Sequence, residues 1–146
     1  MATNKIIKNN LSIRNGLFVD KRGSFWYKND VLHREDGPAI ELKNGNKHWF
    51  IEGKRHREDG PALIFFKTQK YFKEDLLHRE DGPAINEGNF GSNIEEWYYK
   101  GQRHRLDGPA FINHYNKTKQ WYYKGKYIKC SNKEEFNRLI KLIIFI

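Results

Sequence analysis

Residues 32–40 read LHREDGPAI, and the string returns three times with few changes, as RHREDGPAL at 55–63, LHREDGPAI at 77–85 and RHRLDGPAF at 103–111. The four histidines of the string are spaced 23, 22 and 26 residues apart. Self-similarity at a period of about 20–50 residues indicates a repeat architecture, in which each repeat is one small unit that packs on its neighbours. The chain is therefore predicted to be a single repeat domain.

Two rows of aromatic residues accompany the string. One aromatic stands seven positions before each histidine, and the next position is aromatic as well. The first row is Trp26, Trp49, Tyr71, Trp97 and a fifth copy, Trp121; the second row is Tyr27, Phe50, Phe72, Tyr98 and Tyr122. Adjacent side chains on a strand point to opposite faces, so one row is expected to be core. The other row either packs as a cross-strand ladder or binds bases, sugars or a partner's apolar side chains.

Each unit is predicted to be a β-hairpin. In the 39–53 stretch, Asn44-Gly45 separates two short strand-like segments, and Asn-Gly is the strongest short-range hairpin signal. Similar turns are expected near 21–24, 67–69 and 116–118. In the Asp-Gly-Pro-Ala connection, glycine tolerates unusual backbone shapes, proline removes an N–H from the ladder, and aspartate accepts hydrogen bonds from nearby backbone amides. The predicted fold class is all-β, an elongated antiparallel β-hairpin repeat array of about ten strands.

Both ends have features of caps. Residues 16–19 are expected to occupy the register of 39–42, which indicates an incoming half-unit. At the other end, Ser131 and Glu134 match a capping box, and a run of apolar residues recurs at helical spacing (Phe136, Leu139, Ile140, Ile143 and Ile144). A short C-terminal capping helix is expected to cover the last strand edge. The predicted units are a half-unit at 11–24, repeats at about 25–47, 48–70, 71–96 and 97–120, a final half-unit at 121–130, and the helix at 131–146.

Composition limits the compartment and the class of ligand. The net charge is +9, with basic ends and an acidic third unit, although codon bias is an alternative source of the many lysines. The single cysteine, Cys130, excludes an internal disulfide and favours a reducing compartment. Residues 1–10 lack the apolar run of a secretory signal, and no apolar stretch is long enough to cross a bilayer. A cytoplasmic or other intracellular location, without a membrane role, is expected.

The repeated histidine and aspartate suggest a catalytic or metal site, but the spacing argues against both. With two strands per unit, equivalent residues lie about 9–10 Å apart. Two imidazoles that share a zinc ion need nitrogens within about 4 Å. We therefore predict a structural motif, with each imidazole hydrogen-bonded beside its aspartate turn and with no metal, cofactor or catalytic residue. Its members are His33, Asp36, Gly37, Pro38, His56, Asp59, Gly60, Pro61, His78, Asp81, Gly82, Pro83, His104, Asp107, Gly108 and Pro109.

Other residues are candidates for binding. The arginines of the motif form either a solvated ladder neutralised by Glu35, Glu58 and Glu80, or a row of planar forks for phosphates or carboxylates. The irregular 86–96 stretch is either a longer hairpin loop or a binding feature that the scaffold presents. The candidate binding residues are Trp26, Trp49, Trp97, Trp121, Tyr27, Tyr98, Tyr122, Arg34, Arg57, Arg79, Arg105 and Phe90.

Residues 97–110, WYYKGQRHRLDGPA, resemble a variant of the MORN repeat. The ordinary unit has an aromatic, a glycine, and a histidine followed by glycines, and here Arg-x-Asp-Gly-Pro-Ala replaces the later glycines. The resemblance covers about residues 16–128, with the unit glycine kept as Gly53, Gly101 and Gly125 and replaced by Asp30 and Leu76 elsewhere. It implies a MORN-like scaffold similar to those of large AT-rich DNA viruses, phages and bacteria, and a host-cytoplasm or virion location if the source is viral. MORN arrays are taken as protein-interaction or membrane-association scaffolds, and the family supplies no catalytic residue.

Two functions are consistent with these residues. The first is a non-enzymatic scaffold that binds another protein, or itself, through the aromatic face and the 86–96 loop. The alternative is a binder of an anionic ligand, either nucleic acid or a nucleotide, through the basic ends and the arginine row. The sequence shows neither a glycine-rich phosphate loop nor a nucleophile setting around Cys130, so an enzyme is not expected.

Overall fold

The computed structural model of the protein describes residues 13–88 and 93–144. Phe90 and its neighbours at 89–92, the first two residues of the predicted half-unit and the last two of the predicted helix lie outside the described residues. Within these limits the chain is a row of antiparallel hairpins that ends in a helix. The predicted all-β class with a C-terminal capping helix is confirmed.

Eighteen strands and one helix lie within the described parts of the chain. They are β1 Gly16–Val19, β2 Gly23–Lys28, β3 Val31–Leu32, β4 Ile40–Leu42, β5 Lys47–His48, β6 Phe50–Ile51, β7 Lys54–Arg55, β8 Leu63–Phe65, β9 Thr68–Lys70, β10 Phe72–Lys73, β11 Leu76–Leu77, β12 Ile85–Glu87, β13 Ile94–Glu96, β14 Tyr98–Tyr99, β15 Gln102–Arg103, β16 Phe111–Asn113, β17 Thr118–Tyr123, β18 Lys126–Ile128 and α1 Lys133–Ile144. Twelve strands form one sheet, and three two-stranded hairpins stand beside it. The prediction of about ten strands is too low because it omits a short hairpin in each unit.

The large sheet grows by one hairpin per unit, in the order β1-β2-β4-β5-β8-β9-β12-β13-β16-β17-β18, with β3 paired to β2. The predicted Asn44-Gly45 turn joins β4 to β5, with Gly45 at φ 87°. The other observed turns, at 20–22, 66–67 and 114–117, overlap the predicted ones. Asn46 is 1% exposed and links neighbouring turns, since its Oδ1 accepts the Phe66 N–H at 3.0 Å.

A short hairpin follows the aromatic pair in every unit. Its two-residue loop has positive φ at both positions, the arrangement of a type I′ turn, which matches the twist of the strands. The loops are Asn29-Asp30, Glu52-Gly53, Glu74-Asp75, Lys100-Gly101 and Lys124-Gly125. The glycine position of the third unit is therefore Asp75, and its assignment to Leu76 is wrong by one residue. Asp30 and Asp75 fit there because aspartate tolerates the left-handed conformation better than most residues.

Strand β1 pairs with β2 as an incoming half-unit, but not in the predicted register. Phe25 and His48 are equivalent, since each directly precedes the first aromatic of its unit. Phe18 pairs with Phe25 and Ile40 pairs with His48, so residues 16–19 correspond to 38–41 rather than to 39–42. All four residues of β1 are exposed, which leaves this edge of the sheet uncovered by the described residues.

The core is thin, and before the C-terminal cluster its buried apolar residues are the four motif alanines, Phe72 and Ile85. The alanine of each motif is fully buried: Ala39, Ala62, Ala84 and Ala110. The one cluster of large buried side chains lies at the C-terminal end of the described chain, where Trp121 and Ile128 pack against Phe136 and Ile140 of α1. The Trp121 and Phe136 ring centroids are 5.0 Å apart. The helix therefore covers the last aromatic of the first row.

The start of α1 differs from the prediction by one residue. Asn132 is the N-cap, since its Oδ1 accepts the Glu135 N–H at 2.9 Å. The Glu135 carboxylate in turn accepts the Ser131 N–H at 2.9 Å. The predicted box of Ser131 and Glu134 is therefore wrong in register. Ile144 is also exposed, whereas the other four predicted apolar residues of α1 are buried or partly buried in the cluster.

Candidate functional site

The four Arg-x-Asp-Gly-Pro-Ala motifs have the same local structure. In each one the guanidinium lies on the first aromatic ring of its own unit, with its carbon 3.9–4.2 Å from the ring centroid. The pairs are Arg34–Trp26, Arg57–Trp49, Arg79–Tyr71 and Arg105–Trp97. A Cβ atom on the motif glycine would approach the guanidinium carbon to 2.8–3.0 Å. Glycine is therefore favoured there because the guanidinium fills the space that a side chain needs.

The motif aspartate holds the guanidinium in place. Arginine Nε donates to the carboxylate at 2.7–2.8 Å in all four units. This hydrogen bond is the main reason that the pKa of Asp36, Asp59, Asp81 and Asp107 lies below the usual aspartate value. In three units an arginine terminal nitrogen also donates to the proline C=O at 3.3–3.4 Å. The arginine side chain, rather than a set of backbone amides around the aspartate, is thus the main partner that closes the turn.

The motif histidine joins its unit to the next one. The Nδ1 atoms of His33, His78 and His104 accept the backbone N–H of the first loop residue in the following short hairpin, at 3.0–3.2 Å. Asn15 Oδ1 accepts the Asn29 N–H at 2.8 Å, so Asn15 occupies the histidine position of the half-unit. Because Nδ1 accepts, the ring proton lies on Nε2. The Nδ1 partner lies in the next unit, while the Nε2 atoms of His33 and His56 form the expected hydrogen bond beside the aspartate turn, with Glu35 and Glu58.

The motif glutamate pairs with histidine rather than with arginine. The Nε2 atoms of His33, His56 and His78 lie 3.3, 2.9 and 3.5 Å from the carboxylates of Glu35, Glu58 and Glu80. In the fourth unit Leu106 replaces this glutamate. There, burial and then the nearby Lys124 lower the pKa of His104. The ladder in which glutamates neutralise the arginine row is therefore wrong in its pairing.

A second set of arginines covers the second aromatic row. Arg14 lies over Tyr27 at 4.1 Å, Arg55 over Phe72 at 4.3 Å, and Arg103 over Tyr122 at 4.8 Å. Arg14 and Arg55 also pair with Asp30 and Asp75 in the next hairpin loop, at 3.1 and 2.8 Å, and Arg103 pairs with Glu96. In both rows most rings are half-buried, and only Phe72 and Trp121 are buried. The expectation that one whole row is core is therefore wrong, because arginines cover much of both rows in this thin sheet.

Three grooves lie between successive motifs, with volumes of about 600, 550 and 920 Å³. Aromatic and histidine side chains line them, Trp49 with His56 in the first and Trp97 with His104 in the third. Exposed carboxylates form the rims: Glu35, Asp36, Glu58, Asp59, Glu80 and Asp81 are 70–83% exposed. The motif arginines are only 22–26% exposed. This surface, named here the motif face, therefore presents negative charge on a protein with net charge +9.

A line of equivalent loop residues runs beside the motif face. It consists of the first loop residue of each short hairpin, Asn29, Glu52, Glu74, Lys100 and Lys124, and is named here the turn row. Glu74 and Lys100 line one cleft together with Glu80 and His78, which places the row next to the grooves. The row was not among the predicted site residues. Its signal was present, since each member is the third residue after the first aromatic of its unit.

Neither a metal cluster nor a membrane span is found in the described chain. Within residues 13–88 and 93–144, no group of three or more histidine, cysteine, aspartate or glutamate side chains is placed to hold a metal ion. No helix in the same ranges is long and apolar enough to cross a membrane. In comparisons with known proteins, no family model matches the chain, and neither a curated protein nor a solved structure does. The MORN-repeat resemblance rests on the motif and stays a prediction.

Proposed function

We propose that the protein is a non-enzymatic repeat scaffold that binds a protein partner along the motif face. The observation that carries this proposal is the repetition of one groove between successive units, each with an aromatic floor and a carboxylate rim. Repeat arrays use such extended surfaces for binding. The motif histidines and arginines serve the fold, because they are bonded between units or stacked within them. Catalysis needs a group that is free to react, which argues for binding rather than turnover.

The chemistry of the grooves favours a partner segment that carries lysine or arginine. Pro38, Trp49 and Ile51 offer apolar contact in the first groove, while Glu35 and Glu58 line the same groove. Buried apolar and aromatic contacts supply most affinity at protein interfaces, and complementary charge sets specificity and the association rate. An extended basic segment would meet equivalent grooves about 9–10 Å apart, one per unit.

The test is affinity capture from the source cells with the full chain and two variants as bait. Glu58→Gln with Glu80→Gln removes two rim charges and keeps the side-chain shapes. Glu134→Gln, on the exposed first turn of α1, is the control because it removes a carboxylate that lines none of the three grooves. A motif-face partner should be enriched by the wild type and the control and fall about tenfold in the rim variant, equivalent to about 1.4 kcal/mol. A partner captured equally by all three proteins would contradict the assigned surface.

An anionic ligand is the second candidate, and one observation favours it. Twelve lysines form no ion pair within the described residues, and eight of them lie at or after residue 100: Lys100, Lys117, Lys119, Lys124, Lys126, Lys129, Lys133 and Lys141. The motif arginines suit this role less well, since each is stacked on a ring and paired with an aspartate. Fluorescence anisotropy with labelled DNA and RNA tests it. Binding at about 50 mM salt that weakens steeply by about 200 mM would support this candidate. No binding at the lower salt would eliminate its nucleic-acid form.

A further inference from the structure

The turn row carries its charges in a definite order. From the second unit to the fifth, the residues are Glu52, Glu74, Lys100 and Lys124, which reads negative, negative, positive, positive. Their φ angles lie between 46° and 52°, so the four positions share one backbone conformation. The N–H groups of Glu52, Lys100 and Lys124 are held by the histidine of the preceding unit. The side chains therefore start from equivalent, fixed points about 9–10 Å apart.

A row with this order is complementary to itself when it is turned end to end. A two-fold axis between the third and fourth units sets Glu52 against Lys124 of a second copy and Glu74 against Lys100. The same ion pairs form on both sides of the axis, because each copy contributes the same surface, which is the definition of an isologous contact. Glu52, Lys100 and Lys124 form no ion pair within residues 13–88 and 93–144. Lys100 and Lys124 lie over the Tyr99 and Tyr123 rings, with Nζ 5.4 Å from each ring centroid, and all three side chains are exposed to a partner.

The residues around the axis fit the centre of an interface. Leu76, Tyr99 and Leu106 are 41–55% exposed and belong to the third and fourth units. Interfaces commonly have an apolar centre and a charged rim, which is the arrangement these residues give. Two lysines oppose the pattern, since Lys54 lies 3.9 Å from Glu74 and Lys73 lies 3.5 Å from Glu58. Both pairs are exposed, and such pairs are weak enough to exchange partners.

We infer that a partner of the turn row is a second copy of this chain, bound antiparallel through Glu52, Glu74, Lys100 and Lys124 with Leu76, Tyr99 and Leu106 at the centre. This rests on the proposed function in taking the ligand to be a protein, and it assigns a partner to the row beside the motif face. Four units span roughly 38 Å at two strand spacings each. A standard interface buries roughly 800 Å² per partner, which a surface of this length reaches at a width of about 20 Å. An interface of that width includes the groove rims beside the turn row.

Two charge-exchange variants test the arrangement. The acidic variant is Lys100→Glu with Lys124→Glu, and the basic variant is Glu52→Lys with Glu74→Lys. Each substitution introduces a residue that this chain already carries at an equivalent position with the same φ, so the fold should be retained. In sedimentation velocity runs at low salt, the wild type should have twice the 17.5 kDa chain mass and dissociate as salt rises. Each variant alone should dimerise at least tenfold more weakly, and an equimolar mixture should recover a heterodimer.

A second measurement needs no variant. Zero-length carbodiimide coupling of the wild type should join Glu52 to Lys124 and Glu74 to Lys100 between copies, as identified by peptide mass spectrometry. Within one chain Glu52 and Lys124 are three units apart, roughly 28 Å, which is too far for a direct link. Labelled and unlabelled chains mixed in equal amounts distinguish links between copies from links within one copy.

Three outcomes would overturn the inference: a wild type that stays monomeric at about 100 µM and low salt, a dimer that both variants keep, or variants that do not pair when mixed. The function proposed above fails differently. If the dimer is absent while capture of a partner still depends on Glu58 and Glu80, the scaffold function stands and the second copy is the wrong partner.

Discussion

Replacing Gly82 with alanine should destabilise the protein only while Arg79 is present. A Cβ atom at Gly82 would lie 2.8 Å from the Arg79 guanidinium carbon, which is closer than side chains tolerate. The guanidinium has little room to move, since it lies 4.1 Å from the Tyr71 ring, donates to Asp81 at 2.8 Å, and donates to the Pro83 C=O at 3.4 Å. The alanine must therefore displace the arginine from this site.

The size of the effect follows from the contacts that are lost. A partly exposed cation–π contact contributes about 0.5–1 kcal/mol, and the hydrogen bond to Pro83 about 0.5–1.5 kcal/mol. The Asp81 carboxylate is exposed, so the loss of its ion pair with Arg79 adds little to the cost. Alanine also restricts the unfolded chain, which stabilises by about 0.4–1 kcal/mol, because φ at Gly82 lies outside the left-handed region. We expect Gly82→Ala to lower the free energy of unfolding by about 1 kcal/mol in the wild type and to raise it slightly in an Arg79→Ala background.

A double-mutant cycle measures this coupling. Urea unfolding of the wild type, both single variants and the double variant, followed by tryptophan fluorescence and far-UV circular dichroism, gives the four free energies if the two signals coincide. The expected coupling between Gly82 and Arg79 is about 1–2 kcal/mol. If Gly82→Ala has the same effect in both backgrounds, within about 0.5 kcal/mol, the glycine is not needed to make room for the guanidinium.

The remaining predictions concern the contacts between units and the C-terminal cap. His104→Asn copies Asn15 and keeps an acceptor for the Lys124 N–H. Because burial lowers the pKa of His104 in the folded protein, the stability of the wild type should fall as pH drops below about 6.5, and urea titrations should show a smaller loss for the variant. Arg55→Leu should lower the free energy of unfolding by about 1 kcal/mol, and adding Asp75→Gly should recover most of this loss in thermal unfolding. The double variant reproduces the pair Leu77 and Gly101 found one unit later, and no recovery would show that Arg55 and Asp75 act separately. Phe136→Ala should cost about 3–5 kcal/mol in urea unfolding while the exposed Leu142→Ala changes little, and equal effects would remove Phe136 as the anchor of the helix.

The repeated parts of the fold were predictable, because four copies of one string and a fifth aromatic pair act as independent evidence within one chain. Asn44-Gly45 identified a turn directly. The short hairpins were not visible, since two-residue strands are too short to show alternation. Loops such as Glu52-Gly53 and Lys124-Gly125 also place a charged residue at positive φ, which local propensity disfavours. The hydrogen bond that the loop N–H donates to Nδ1 of the preceding unit's histidine supports that conformation, and it is a contact between units.

One-residue errors have a common physical cause. The corrections at Gly16, Leu76 and Ser131 all concern which of two neighbouring residues occupies a position, and polarity alone does not distinguish them. The hydrogen bond that the Glu135 N–H donates to Asn132 Oδ1 and the strand pairing of Phe18 distinguish them through backbone geometry. The partner of each motif arginine was likewise hidden, because the ring that it covers lies eight residues earlier in the chain.

The units of this chain can be compared with one another as relatives are compared in a family. Six residues recur in all four motifs, and each has a role in the fold. The histidine accepts a hydrogen bond from the next unit in three of the motifs, the arginine stacks on a ring, and the aspartate is its counter-ion. The glycine leaves space for the guanidinium, the proline ends the strand ladder, and the alanine is buried. A residue that the fold requires in every unit cannot distinguish one end of the array from the other. The positions that differ between equivalent sites can do so, and the turn row reverses its charge, with Glu52 and Glu74 against Lys100 and Lys124. Since the backbone at the four turn-row positions is the same, the fold does not account for the change of sign, and these side chains are where a partner's chemistry should be sought.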